Sequence, residues 1–261
     1  MIDEVVVPPR IVGKKEFIAE GMELISSINE PQGALILIDK PYGITSFDAV
    51  YKIKRTLRLY SGDKKVKVGH GGTLDPLATG LLIIGTRKAT KVLNELLTER
   101  KTYYVTFRLG ISSASFDLET KIVITDDLST LSESSVIAAV ESCVGEQLQV
   151  PPQYSAVKVG GKPIYEHARK GREIELAPKP ITIYNVSDIC VQLPYLSFSV
   201  ECSKGTYIRA IARDVGHKLG VGAVVTVLRR THIGKYSVSH ALEIKEVEAL
   251  RSHQESLKAK E

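Results

Sequence analysis

The feature that most constrains the fold of this chain is a glycine-rich stretch, residues 69–80, with the sequence GHGGTLDPLATG. Glycine permits backbone conformations that other residues avoid and lets a ligand approach the main chain closely. Asp75 precedes Pro76, and proline disfavours the α region for the residue before it. The apolar run at residues 81–84 predicts a buried strand. The sequence therefore predicts a loop that is anchored to the core and carries a histidine and a carboxylate.

The residues of this loop by themselves leave two interpretations open. Aspartate and glycine are ordinary turn residues, so a tight turn capped by Asp75 accounts for the pattern as well as a catalytic loop does. A choice between the two needs other parts of the chain.

Composition narrows the class of protein. The cysteines are odd in number, widely spaced and without a metal-ligand or disulfide pattern, which favours a reducing, cytoplasmic setting. No apolar run approaches the ~20 residues of a membrane helix, and the N-terminus lacks a signal-peptide pattern. The sequence also has no P-loop, dinucleotide fingerprint or metal-ligand spacing, so we expect no cofactor, no metal and no membrane association.

Hydrophobic periodicity predicts a chain of mixed helices and strands. We predict helices over residues 47–58, 88–97, 133–143 and 207–219, and strands over residues 34–38, 81–84, 102–109, 181–192, 196–203 and 224–228. The predicted N-caps of three of these helices are Ser46, Ser132 and Thr206. Alternation along residues 102–109 places Tyr103 and Tyr104 on opposite faces of one strand.

Two segments concentrate basic residues, although the chain as a whole is only mildly basic. Residues 52–67 hold seven basic residues and one acid, and lead into the glycine-rich loop. Residues 151–180 hold six basic residues and three acids. A charge run is usually a solvated face, but a basic run that leads into a site for a polyanion is a candidate for phosphate contacts.

Arg209 occupies an unfavourable position in the first turn of the predicted helix 207–219. A cation at a helix N-terminus opposes the helix dipole, at a cost of about 0.3–1 kcal/mol. The placement predicts a specific anionic partner for Arg209; the alternative is a surface arginine that tolerates the cost.

GHGGTLDPLATG resembles the signature of the TruB-type tRNA pseudouridine synthases, whose usual bacterial form is GHTGTLDPLATG. Gly71 stands where the family usually has threonine. Four further segments resemble the family in the same order. They are GALILIDKPYGITS (33–46), KTYYVTFRLG (101–110), PPQYSAVKVGGKPIYEHARKG (151–171), and CSKGTYIRAIARDVG with VVTVLRR (202–216 and 224–230).

This resemblance implies an α+β fold of the pseudouridine synthase type, with a long, mixed, mainly antiparallel sheet, flanking helices and an RNA-gripping insertion. It implies a catalytic domain over residues 33–240, with the insertion at about 151–180. Residues 1–32, which include a candidate short helix, are then an N-terminal extension. Residues 241–261 are a short helical tail, in place of the full C-terminal RNA-binding domain that many members carry.

The resemblance also implies a reaction. Uridine becomes pseudouridine when the N1–C1′ bond is cut, uracil rotates, and C5 is joined to C1′, with no redox change. Asp75 is the implied nucleophile, which adds to C1′ or to C6 of uracil. Tyr103 stacks on the base and takes the C5 proton, and Arg209 pairs with Asp75 and keeps it ionised.

Further residues match substrate-binding positions of the family. The target uridine lies in a folded RNA loop and must be flipped out, and His70 is implied to hold the opened loop. The other implied substrate-binding residues are Lys40, Gly72, Thr73, Tyr207 and Leu228. From the residue types alone, Tyr207 and Leu228 are equally well core residues, and Lys40 is a surface lysine.

The leading hypothesis is therefore a monomeric, cytoplasmic isomerase that acts on the T-loop uridine, position 55, of tRNA without an obligate protein partner. One alternative is an RNA-folding protein that binds tRNA without chemistry. Another is a guide-RNA-dependent rRNA synthase, although those relatives read closer to GHSGTLDPKVTG and rely on the C-terminal domain. A nucleoside hydrolase is disfavoured because no second acid stands near Asp75 in the sequence.

Overall fold

A computed structural model of the chain describes residues 10–15, 30–125 and 127–249. The candidate helix of the N-terminal extension lies largely outside these residues, as does the C-terminal tail beyond residue 249. The chain divides into two compact units, which are described in turn. The first unit holds residues 1–99 and 230–261, and the second holds residues 100–229.

The first unit is built around two apolar strands. Its strands before residue 100 are β1 (Arg10–Val12), β2 (Ala34–Lys40), β3 (Val68–His70) and β4 (Thr79–Thr86). β2 pairs with β1 in parallel and with β4 antiparallel, and β3 pairs antiparallel with β4. Both faces of β2 and β4 are buried, which explains why these strands read as continuous apolar runs.

Helices cover the two faces of this strand pair. Helix α1 (Ser46–Ser61) packs its apolar stripe against Ile36 and Ile38 of β2. On the opposite face, Leu35 and Leu37 pack against a 3-10 helix (Arg87–Lys91) and helix α2 (Leu93–Thr98). The alternation of β2 residues between two cores follows from the two-residue period of a strand.

The prediction of Ser46 as the N-cap of α1 is wrong, because the cap is Thr45. The Thr45 hydroxyl accepts a hydrogen bond from the Asp48 amide (3.0 Å), and the Asp48 carboxylate accepts one from the Thr45 amide (2.9 Å). This reciprocal pair is a capping box. The helix ends at Gly62, which has φ 67°.

The prediction of one helix over residues 88–97 is also wrong. Arg87 leaves β4 in the left-handed region with φ 48°. A tight 3-10 turn then buries Ala89, whose amide donates to the Gln32 carbonyl (2.9 Å). Helix α2 starts only after this turn, because Ala89 is anchored to the loop before β2.

The second unit contains an antiparallel sheet with the order β5, β12, β11, β8. Its strands are β5 (Lys101–Leu109), β6 (Ile111–Ser112), β7 (Val123–Ile124), β8 (Gly145–Gln149), β9 (Lys158–Val159), β10 (Lys162–Pro163), β11 (Lys179–Gln192), β12 (Tyr195–Cys202) and the first seven residues of β13 (Ala223–Ile233). Helices α3 (Glu133–Glu141), α4 (Tyr165–Ala168) and α5 (Ile208–Lys218) complete it. Residues of α3 and α5 share one core with the inward-facing residues of β5 and β12.

Of the two N-caps predicted in this unit, Ser132 is confirmed and Thr206 is wrong. Ser132 caps α3 as predicted, since its hydroxyl accepts from the Ser135 amide (3.1 Å). Thr206 is not the cap of α5; the N-cap position is Tyr207, which makes no side-chain capping bond. The remaining predicted strands are present with ends shifted by a few residues.

The chain then returns to the first unit. The last residues of β13 pair with β14 (Tyr236–Ser237), and β15 (Leu242–Glu243) pairs in parallel with β2. Residues 244–249 are helical, in agreement with a helical tail as far as the structure describes it. The division into extension, catalytic domain and tail stays a prediction.

The architecture is the predicted mixed α+β fold with a long, mixed, mainly antiparallel sheet. β2 pairs in parallel with β1 and with β15. Within the described ranges, no helix combines the length and the apolarity that crossing a membrane requires.

Candidate active site

The Asp75 loop lies in the first unit and connects β3 to β4. The Gly71 amide donates to the carbonyl of Ile83 in β4 (2.9 Å), and the Ala78 amide donates to the Asp75 carbonyl (3.0 Å). The Pro76 carbonyl accepts from the Gly43 amide (2.9 Å). Asp75 itself is partly exposed. The loop is therefore anchored to buried strand as predicted, and Asp75 is only partly buried on it.

Ser46 fixes this loop instead of capping α1. The Ser46 hydroxyl is buried, accepts from the Leu74 amide (2.8 Å) and donates to the Leu74 carbonyl (3.0 Å). One side chain thus satisfies both main-chain groups of the residue before Asp75. Buried main-chain groups need such partners, which explains why the hydroxyl is not available for the helix end.

Arg230 is a residue of this site that the sequence analysis missed. It is 1% exposed, and its guanidinium donates to the carbonyls of Leu81 (2.8 Å), Gly72 (3.1 Å) and Thr73 (3.4 Å). The planar fork of arginine suits several carbonyl acceptors at once. Arg230 ends the VVTVLRR segment, and its residue pattern alone did not distinguish it from a surface arginine.

Lys40 is buried, so its interpretation as a surface lysine is wrong. Its ammonium donates to the carbonyls of Ile44 (2.8 Å), Pro41 (3.0 Å) and Pro76 (3.3 Å). Burial lowers the pKa of Lys40 to about 8, against the opposing effect of the Asp75 carboxylate. The amine therefore ties the chain after β2 to the Asp75 loop and adds positive charge beside the aspartate.

The lowered pKa of Lys40 predicts a pH-dependent stability. Between pH 8 and pH 10.5 the unfolded chain keeps a proton on Lys40 that the folded chain has released. The cost of burying the ammonium is full below pH 8 and is relieved as pH rises through this window. The free energy of unfolding of the wild type, minus that of Lys40→Met, should rise by about 2 kcal/mol from about pH 7.5 to 9.5 in urea titrations. A constant difference would contradict the shift.

His70, at the end of β3, is half-buried beside the same loop. Burial lowers the pKa of its imidazole, and the positive charge of Arg230 lowers it further. The ring is therefore neutral at neutral pH. Its Nδ1 atom is buried and makes no hydrogen bond in the part of the chain that the structure describes. A neutral ring suits packing against an RNA base better than pairing with a phosphate.

Gly71 and Gly80 differ in whether their surroundings leave space for a side chain. A Cβ atom on Gly71 would lie 3.4 Å from Leu96 Cβ and 3.5 Å from Leu93 Cδ2, which is ordinary van der Waals contact. A Cβ on Gly80, which has φ 103°, would lie 2.2 Å from the Arg230 carbonyl oxygen. A threonine at position 71, as in the signature that this loop resembles, is consistent with the first geometry, whereas the second admits only glycine.

These geometries predict opposite results for substitutions at positions 71 and 80. Gly71→Ala and Gly71→Thr should keep activity, and Gly71→Ala should stay within about 1 kcal/mol of the wild type in urea unfolding. Gly80→Ala should lose about 2–4 kcal/mol through overpacking and backbone strain. Equal stability of the two alanine variants would contradict this account of the loop.

In the second unit, Tyr103 lies on β5 and packs with its ring partly buried against the core. Tyr104 is on the opposite face and 41% exposed, as predicted. Leu228 of β13 is likewise half-buried against the core of this unit. Tyr103 thus packs against the core while part of it stays exposed, and the position of Leu228 is compatible with a core residue and with a substrate-binding residue.

Arg209 is 3% exposed at the first turn of α5, so it is not a surface arginine. Its guanidinium donates to the carbonyls of Tyr154 (2.9 Å) and Ser115 (3.1 Å). Its Nε lies 3.6 Å from Oδ2 of Asp117, which is also buried. Asp117 is therefore an anionic partner of Arg209, and the sequence analysis did not identify it. Tyr154 belongs to the basic insertion, so Arg209 also connects that segment to α5.

The main chain of Tyr207 is held by Gln149 of β8, another residue that sequence reasoning missed. The buried amide of Gln149 accepts from the Tyr207 amide (2.8 Å) and donates to the Tyr207 carbonyl (3.2 Å). This pair of bonds fixes the start of α5 where no side-chain cap is present. No pattern in the sequence links these residues, because they are 58 positions apart.

The predicted site residues fall into two groups. The first unit brings together Lys40, His70, Gly72, Thr73 and Asp75, and the second holds Tyr103, Tyr207, Arg209 and Leu228. The pairing of Asp75 with Arg209 would join the two units, and it stays a prediction.

Solved structures with a similar fold include chains of two Cbf5 complexes. The chain is similar to Cbf5 in a Cbf5–Nop10–Gar1 complex, with 29% identity and a TM-score of 0.60, over 81% of this chain and 52% of that one. It is similar to an archaeal box H/ACA Nop10–Cbf5 complex, with 26% identity and a TM-score of 0.62, over 87% of this chain and 57% of that one. The chain thus spans little more than half the length of these solved chains.

The family model that matches this fold defines a pseudouridine synthase, which is an isomerase. A family model described as "TruB family pseudouridylate synthase (N terminal domain)" matches residues 57–208, and one described as "tRNA pseudouridylate synthase B C-terminal domain" matches residues 209–260. The chain belongs to the TruB family.

Curated relatives named tRNA pseudouridine synthase B agree with this assignment. The protein of Clostridium tetani is 41% identical over 82% of this chain and 72% of its own length. The protein of Flavobacterium johnsoniae is 46% identical over 82% of this chain and 93% of its own length. The protein of Burkholderia mallei is 44% identical over 82% of this chain and 69% of its own length.

Proposed function

We propose that this chain isomerises the T-loop uridine, position 55, of tRNA to pseudouridine, with Asp75 as the nucleophile. The observation that carries the proposal is the Asp75 loop. Buried donors from Ser46, Lys40 and Arg230 hold its main chain, while Asp75 itself is only partly buried. A rigid loop with an accessible carboxylate is what a positioned nucleophile requires.

The reaction balances without a cofactor. The Asp75 carboxylate adds to C1′, which displaces uracil, or to C6 of the base. The N1–C1′ bond breaks, uracil rotates, and C5 bonds to C1′ as the carboxylate leaves. The proton on C5 is then lost to a base, and N1 gains a proton from solvent. Electrons are conserved, and the carboxylate is regenerated at the end.

The second unit supplies the other proposed catalytic groups. Arg209 is held by Ser115, Asp117 and Tyr154, so its guanidinium has a fixed orientation. Tyr103 is rigid on β5 and partly exposed, which suits a ring that stacks on the flipped base and takes the C5 proton. The start of α5 at Tyr207 is fixed by Gln149, which keeps both Tyr207 and Arg209 in place.

The substrate must be opened before this chemistry. A uridine inside a folded loop has to leave its stack, and the enzyme supplies groups that hold the opened RNA. The neutral imidazole of His70 lies beside the Asp75 loop and suits this role. The basic residues of segments 52–67 and 151–180 suit contacts with the phosphates of the T-arm. The proposed enzyme is a cytoplasmic monomer without an obligate protein partner.

The test uses the pure chain and unmodified tRNA transcripts that carry tritium on C5 of uridine. We expect release of one tritium per tRNA, and carbodiimide mapping should place pseudouridine at position 55. A transcript with cytidine at that position should release none. An isolated T-arm stem-loop should react as well. Binding of tRNA without tritium release would support the RNA-folding alternative and would overturn the proposal.

A further inference from the structure

Phe116, in the connection between β6 and β7 of the second unit, has a strained backbone. Its φ of 58° lies in the left-handed region, which bulky residues rarely adopt. Such a conformation persists only where the surrounding structure holds it, and it concentrates at functional sites. Phe116 is not among the proposed catalytic or substrate-binding residues, so its strain calls for a separate explanation.

Hydrogen bonds on both sides of Phe116 hold the turn in which it lies. The Phe116 amide donates to the Ser113 carbonyl (3.1 Å), and the Phe116 carbonyl accepts from the Val225 amide of β13 (2.9 Å). The Ser113 hydroxyl donates to the Asp117 carbonyl (2.6 Å) and closes the turn. Ser113, Asp117 and Val225 are buried. The core of the second unit therefore keeps Phe116 from relaxing to an extended conformation.

The two neighbours of Phe116 in the chain both contact Arg209. The Ser115 carbonyl accepts from Arg209 Nη1 (3.1 Å), and Asp117 Oδ2 lies 3.6 Å from Arg209 Nε. In an extended strand, carbonyls lie in the plane of the sheet and side chains stand perpendicular to it. The Ser115 carbonyl and the Asp117 side chain would then point in different directions. The left-handed residue between them bends the chain, so that both groups meet one guanidinium.

The ring of Phe116 contacts the helix that carries Arg209. The guanidinium carbon of Arg213 lies 5.6 Å from the centre of the ring, within the range of a cation–π contact. Arg213 follows Arg209 by one helical turn, so both side chains leave α5 on the same side. Arg213 Nη1 donates to the Val150 carbonyl (3.1 Å), and Arg209 Nη2 donates to the Tyr154 carbonyl (2.9 Å). The turn, α5 and the start of the insertion are therefore connected through these two arginines.

We propose that Phe116 is a positioning residue for the isomerisation. Its left-handed backbone directs the Ser115 carbonyl and the Asp117 carboxylate to Arg209, and so fixes the direction of the guanidinium. The proposal deepens the proposed function and rests on it, because Arg209 is one of the proposed catalytic groups. A displacement of about 1 Å in a positioned group can slow an enzyme about a hundredfold. A change in this turn should therefore lower the rate without contact between Phe116 and the RNA.

The test uses two substitutions that separate the backbone of Phe116 from its ring. Asparagine lacks the ring but tolerates the left-handed region, whereas the β-branched valine does not. The single-turnover rate constant of Phe116→Val should fall by about 10- to 100-fold, and that of Phe116→Asn should stay within about threefold of the wild type. The Kd for tRNA should change by less than about twofold in both. If Phe116→Val does not fold, Phe116→Ala provides the same comparison with less strain.

Asp188→Val is the matched control for backbone strain. Asp188 is exposed on β11, has φ 55°, and lies between Ser187 and Cys190, where the pairing with β12 shifts register. Valine should create the same backbone conflict there, so the melting temperature of both valine variants should fall by about 2–10 °C. Only Phe116→Val should lose rate. If Asp188→Val slows isomerisation as much as Phe116→Val does, the effect is general destabilisation and the proposal is overturned.

A double-mutant cycle tests whether Phe116 acts through Arg209. Lysine at position 209 lacks the planar fork that the turn directs. In an Arg209→Lys background, Phe116→Val should therefore lower the remaining rate by less than about threefold. A full loss in this background, on top of the loss from Arg209→Lys, would mean that Phe116 acts independently of Arg209 and would overturn the proposal.

The other outcomes are equally decisive. Equal losses of rate in Phe116→Asn and Phe116→Val would assign the effect to the ring and overturn the role of the backbone. A folded Phe116→Val variant with full activity would overturn the proposal, and so would a rise in Kd that matches the loss of rate. In each of these cases the wild type still isomerises tRNA. A wild-type chain that isomerises no uridine would instead overturn the proposed function.

Discussion

Asp75→Asn should abolish isomerisation and leave tRNA binding within a few-fold of the wild type. Asparagine keeps the shape of the side chain and the loop, but it lacks the charge that adds to the nucleoside. A loss of at least a thousandfold in rate, about 4 kcal/mol of transition-state stabilisation, is expected in single-turnover tritium release. Affinity should persist because it comes from basic segments elsewhere in the chain.

Asp127→Asn is the matched control for this experiment. Asp127 is exposed in a turn of the second unit, where its carboxylate accepts from the Ser129 amide (2.9 Å) and hydroxyl (2.8 Å). The control should keep full activity. Loss of binding in parallel with activity in Asp75→Asn would mean that Asp75 holds the loop structure and is not the nucleophile.

Arg209→Ala should have the second largest effect, on both stability and rate. The substitution leaves buried Asp117 without its arginine and removes the donors to Ser115 and Tyr154. Breaking a buried ion pair costs about 3–5 kcal/mol of the free energy of unfolding, so urea unfolding should shift strongly. The chemical step should also slow, because the proposed nucleophile loses charge support and orientation.

Two further variants separate these effects. Arg209→Lys keeps a charge beside Asp117 but loses the planar fork, so activity should be rescued only in part. Asp117→Asn removes the carboxylate partner in the second unit while Arg209 remains, so it should lower stability more than the rate of isomerisation. Activity should be measured well below the melting temperature of each variant. A fully active Arg209→Ala enzyme would refute the catalytic role.

Local patterns predicted the elements that surround the site. The spacing of apolar residues predicted β5 and α1, since burial of one face imposes a fixed period, and continuous apolar runs predicted β2 and β4, which are buried on both faces. The glycine-rich stretch predicted an anchored loop with Asp75. A tight connection needs backbone conformations that glycine adopts readily, so its glycines are visible in the sequence. Tyr103 and Tyr104 fell on the predicted faces for the same local reason.

Other predictions from local sequence patterns were wrong because distant parts of the chain compete for the same hydrogen-bonding groups. Ser46 has the residue type of a helix cap, but Leu74 lies 28 positions away and has buried main-chain groups to satisfy. Because the Ser46 hydroxyl is bonded to the main chain of Leu74, Thr45 is the N-cap of α1. The helix predicted over residues 88–97 broke for a similar reason, because the Ala89 amide is bonded to Gln32.

The sequence by itself determined the mixed α+β fold, the family and the candidate nucleophile, because periodicity and motif are properties of neighbouring residues. Only the tertiary structure decided which polar side chains hold the site. Arg230 reaches acceptors 149 to 158 positions away, and Arg209 reaches Ser115 across 94 positions. The residue type of Lys40 predicted a surface position, whereas in the structure its ammonium donates to three main-chain carbonyls. The physical reason is that main-chain carbonyls are identical in every residue, so a sequence cannot tell which of them a buried cation will meet.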